Sequence, residues 1–136
     1  GYIALLERIV ELQLVESVPP VQLTIRLLVP EGSYLLKLPG FKEQLMAFDP
    51  RLLGYPWDHP DPRVDQLQRD LQALVARCEQ QGLPRREVFA AVWRMAHEAA
   101  DRPAPNLAGN LGSPIPRLSE PWYCCAEPTD QQLQCF

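Results

Sequence analysis

From residue 2 to residue 15, Ile3, Leu6, Ile9, Val10, Leu12 and Leu14 are interleaved with Glu7, Arg8, Glu11 and Gln13. That spacing predicts an amphipathic helix, which Pro19 and Pro20 stop. In the next stretch, "VQLTIRLLV" over residues 21 to 29, Val21, Leu23, Ile25, Leu27 and Val29 alternate with Gln22, Thr24 and Arg26. A period of two in β-branched company predicts a strand, and the "PEGS" that follows carries turn chemistry. Between Pro39 and Pro62 prolines and glycines break the text, leaving room for a short helix at "FKEQLMAF" and then a loop, "DPRLLGYPWDHPDP".

The clearest helical pattern covers 62 to 81, where Val64, Leu67, Leu71, Leu74, Val75 and Cys78 recur at steps of three and four. Asp61 suits its N-cap, Pro62 its first position and Gly82 the left-handed residue after its end. A second helix is expected over 84 to 100, burying Val88, Phe89, Val92, Trp93 and Ala96. With only Gly82 and Leu83 between them, the two should form an antiparallel hairpin. Six of the fifteen prolines then fall between Pro103 and Pro128, the composition of an extended tail without a core of its own.

Composition narrows the class. A length of 136 residues and an apolar share of 46% suit about one domain with a modest core. A net charge of −4 with no run of Lys or Arg argues against nucleic acid as a partner. No apolar stretch reaches the roughly 18 to 20 residues of a membrane span, and the acidic residues in "GYIALLERIVELQL" interrupt any signal-peptide core. A cytoplasmic protein is expected. The chain opens at Gly1 within helical text, which reads as a piece of something longer.

Most chemistry-bearing side chains have an ordinary role open to them. Asp58, His59 and Asp61 contain metal-ligand types, but a solvated loop whose acids cap the next helix accounts for them without a metal. His97 is expected on the helix surface, Cys78 in the core and Trp93 as a packing group, with Trp57 and Trp122 weighed the same way. No glycine-rich phosphate loop, HExxH or GxSxG occurs, and no serine has a local histidine partner. Gln22, Thr24 and Arg26 share one face of the expected strand, which is either the wet side of an edge strand or, with Arg26 near the strand's carboxyl end, a ligand face of the barrel type.

"EPWYCCAEP", residues 120 to 128, places Cys124 beside Cys125. Adjacent Cα atoms lie about 3.8 Å apart whereas disulfides span about 4.4 to 6.8 Å, so a bridge within the pair is strained and easily reduced. A bridge from either cysteine to Cys135 closes a short loop, credited with roughly 3 kcal/mol at most. Nor does the pattern set two thiolates on adjacent tetrahedral corners as CxxC does. Two readings stay open: a reactive thiol pair with Cys135 as resolving thiol, or incidental cysteines in a proline-rich tail.

"LSEPWYCCAEP" resembles the tail of the radical S-adenosylmethionine proteins named for a CUAEP or CCAEP ending, in some of which selenocysteine replaces one cysteine. "LLERIVELQLVESVPPVQLTIRLLVPEGS" is similar to the closing helix and strand of such a barrel. The resemblance implies an enzyme in which a CxxxCxxC motif holds a [4Fe-4S] cluster that cleaves S-adenosylmethionine to a 5′-deoxyadenosyl radical. That motif lies upstream of the matched region in the family, so neither cluster nor S-adenosylmethionine is expected on this chain alone. By the same carry-over Gln22, Thr24 and Arg26 would face the lumen near the cofactor, and Cys124 and Cys125 would be the family's tail pair.

The expected architecture is therefore mainly α with a small β element. Residues 1 to 38 would be the truncated end of a (β/α) barrel, 39 to 100 a helical accessory domain built on the hairpin, and 101 to 136 the proline-rich tail. The partner implied is the missing N-terminal portion. A strand edge left bare at 21 to 29 would pair with a second copy as a dimer or domain swap. The competing reading is a helical module that binds a protein partner through the tail.

Overall fold

A computed structural model of the chain describes residues 1–114. It is mainly helical: α1 is Tyr2–Glu11, α2 is Pro62–Gln80 and α3 is Arg85–Ala99, with three short 3₁₀ turns at Pro20–Leu23, Tyr34–Lys37 and Lys42–Gln44. Among the described residues two units are distinguished, one formed by Gly1–Thr24 with residues 66 to 114, the other by Ile25–Asp65.

In the first unit the core forms where the three apolar stripes meet. Leu6 and Ile9 of α1, Leu71, Val75 and Cys78 of α2, and Val88, Phe89, Val92, Trp93 and Ala96 of α3 form one buried cluster with Val15, Leu23 and Leu111. Complete removal of each large apolar side chain from water contributes about 1.5–3 kcal/mol. α3 packs against α1 and against the turn at Pro20–Leu23. The expected packing of α2 holds for Leu71, which is buried, and in part for Leu67 and Leu74. It fails at Val64, which is 44% exposed. Val64 sits in the first turn, a full turn before the buried stripe begins.

The helix ends show how local chemistry sets the boundaries. The Asp61 carboxylate accepts from the Arg63 backbone N–H at 3.0 Å and caps α2. After α2 the Gly82 N–H donates to the Glu79 carbonyl and the Leu83 N–H to the Cys78 carbonyl, each at 3.0 Å, with Gly82 at φ 68°. This is a Schellman end with glycine in the left-handed position. The other two helices end the same way without glycine. Gln13 at φ 57° follows α1 and Asp101 at φ 53° follows α3, with the Leu14 N–H on the Ile9 carbonyl and the Arg102 N–H on the His97 carbonyl, each at 2.9 Å. That turn, which no glycine announces, stops α1 at Glu11 rather than near residue 15 and leaves Leu12 and Leu14 exposed.

The expected strand over 21 to 29 does not form. Pro20 opens a 3₁₀ turn that runs to Leu23, and the following residues pair backbone only at isolated antiparallel bridges such as Pro30 with Gly54. The alternation breaks with it. Thr24, expected on the wet face, is buried, whereas Ile25 and Leu27, expected inside, are each 47% exposed. Adjacent prolines fix φ near the value a turn needs, and a period of two carries no weight where, among the described residues, no neighbouring strand lies alongside. Edge pairing of that strand with a second copy loses its basis.

The segment after α3 also differs from a tail without a core. Trp93 Nε1 donates to the Pro105 carbonyl at 2.9 Å, Leu107 packs against the core and Leu111 is 4% exposed. Residues 101 to 112 thus form a strap over the first unit. The second unit, by itself, is loop-rich. Val29 is fully buried there, whereas Tyr34, Leu38, Met46, Phe48 and Leu53 lie exposed among its large apolar side chains.

Candidate functional site

Cys124, Cys125 and Cys135 lie outside the described residues. Gln22 and Thr24 belong to the first unit and Arg26 to the second. With 20 to 23 wound as a 3₁₀ turn, they have no common strand face to share. Gln22 is exposed. Thr24 turns inward, its hydroxyl donating to the Val21 carbonyl at 3.0 Å while its own carbonyl accepts from Gln68 Nε2 at 3.0 Å.

Arg26 anchors a polar cluster of the second unit. Its Nη1 donates to Asp65 Oδ1 at 3.0 Å, its Nη2 lies 3.6 Å from Asp58, and its guanidinium carbon sits 4.5 Å from the centre of the Trp57 ring. Asp65 uses its other oxygen to accept the His59 backbone N–H at 2.9 Å, and Trp57 Nε1 donates to the Leu27 carbonyl at 2.8 Å. The Arg26 and Asp65 side chains are 15% and 9% exposed, so the pair is screened little and its geometry is held from several sides. A guanidinium seated on an indole and neutralised by two carboxylates ties the 25 to 29 segment to 57 to 65. It contains no nucleophile.

Asp61 is partly exposed and held by Arg63. The Arg63 guanidinium and backbone N–H donating to its carboxylate lower the Asp61 pKa to about 2. His59 Nδ1 accepts from the Asp61 backbone N–H at 3.0 Å. Among the described residues no group of three His, Cys, Asp or Glu is placed to hold a metal.

His97, expected on the surface, is 3% exposed. Its Nδ1 lies 2.8 Å from the Trp93 carbonyl, and since a carbonyl only accepts, Nδ1 is the protonated nitrogen in that bond. The two rings are 4.3 Å apart between centres. The signal was in the spacing: His97 stands four residues after Trp93 and eight after Phe89, on the stripe that faces the core. Cys78 and Trp93 are core residues, as expected.

Sequence reasoning also missed Tyr2, whose hydroxyl donates to the Leu23 carbonyl at 2.7 Å. Burial pushes its phenol well above the usual range. Arg85 was missed as well: it is 6% exposed, and its Nη1 donates to the Glu16 carbonyl at 2.7 Å.

Comparison with protein-family models, with curated proteins and with solved structures finds no match to this chain. The [4Fe-4S] cluster implied by the sequence resemblance does not fit the residues present. The chain has four cysteines, none in a CxxxCxxC spacing, and Cys78, the described one, is a free thiol buried in the apolar core.

Proposed function

We propose that this chain is the C-terminal region of a radical S-adenosylmethionine enzyme, and that its own chemistry is a tail thiol pair, Cys124 and Cys125, with Cys135 as resolving thiol. The observation that carries the reading is the tail sequence "LSEPWYCCAEP". The cluster and the S-adenosylmethionine site belong to the rest of the enzyme, and no step on this chain runs through them. Residues 1 to 38 would join that enzyme's barrel as a helix and irregular chain.

The tail's part follows from thiol chemistry. Closing a disulfide between two thiols releases two electrons and two protons, and a strained bridge between neighbours returns readily to thiols by exchange with a third. A cytoplasmic setting keeps such thiols reduced between turnovers. Glu127, a carboxylate near the pair, disfavours thiolate, so activation comes from the rest of the enzyme. No helix among the described residues is long and apolar enough to cross a membrane.

In the full-length enzyme, Cys124→Ser with Cys125→Ser should abolish product formation while S-adenosylmethionine cleavage remains measurable. Unchanged turnover in that variant overturns the role of the pair. A second reading has its own support: Tyr34 is 82% and Leu53 70% exposed in the second unit, as in a module that binds a protein partner. Under it the chain would retain a partner whether or not the tail cysteines are present.

A further inference from the structure

We draw no further inference here: the strongest candidate, the set of exposed apolar side chains Tyr34, Leu38 and Leu53 on the surface of the second unit, carries nothing because nothing in the structure shows what covers them.

Discussion

Leu71→Ala tests the packing of α2 against a value worked from the structure. Leu71 is 2% exposed in the cluster that holds Val75, Cys78 and Phe89, so truncation to the β-carbon removes three carbons from a closed environment. At about 0.8 kcal/mol for each buried carbon the transfer term alone is near 2.4 kcal/mol. A cavity that the neighbours cannot refill raises the total into the range of about 2–5 kcal/mol. Against a typical domain stability of about 5–15 kcal/mol that is a large fraction.

Val64→Ala, on the same helix but 44% exposed, should cost less than about 0.5 kcal/mol. Urea unfolding followed by circular dichroism at the helical minimum reads both. The midpoint should fall for Leu71→Ala with an unchanged denaturant slope, and stay within error for Val64→Ala. A loss below about 1 kcal/mol at Leu71, or equal losses at the two sites, would refute the assignment of the buried face.

Gly82→Ala should cost about 1–2 kcal/mol at its left-handed turn, whereas Asp101→Gly should be neutral or stabilise by up to about 1 kcal/mol; the same urea assay checks both signs. Tyr2→Phe should cost about 0.5–1.5 kcal/mol at neutral pH through the lost bond to the Leu23 carbonyl. The Tyr2 phenol has its folded pKa raised, so the stability it contributes is complete below about pH 10 and drains as pH rises above that value; Tyr2→Phe should flatten the decline, and an unaltered alkaline profile would count against it. The lowered Asp61 pKa has the opposite sense: its cap is complete above about pH 4 and is lost as pH falls through about 2, which a carbon-detected carboxyl titration reads directly, an ordinary midpoint near 4 being the contrary result.

The two later helices were legible because their signals are local. Leu71, Val75 and Cys78 sit on one stripe, Asp61 and Gly82 mark the ends, and none of this depends on distant chain. α1 was legible in kind but not in length, because Gln13 gives no sign that it will adopt a left-handed conformation. At 21 to 29 alternation was taken for pairing, and a strand requires a neighbour that the sequence of the strand itself cannot supply. Leu111 stands alone in proline- and glycine-rich text, so no period could mark it as a core residue. The Arg26, Trp57 and Asp65 cluster joins residues 31 and 39 positions apart, a separation beyond any window of local pattern. The cysteine pair, whose reading rests on its adjacency alone, lies outside the described residues.

Formation of 5′-deoxyadenosine by the full-length protein tests the central claim most directly. Prepared without oxygen, with iron and sulfide restored and a strong reductant present, that protein should carry a CxxxCxxC segment upstream of Gly1, bind a [4Fe-4S] cluster and cleave S-adenosylmethionine to 5′-deoxyadenosine, while residues 1 to 136 alone release none. A full-length protein that lacks the motif and yields no 5′-deoxyadenosine under those conditions would contradict the account.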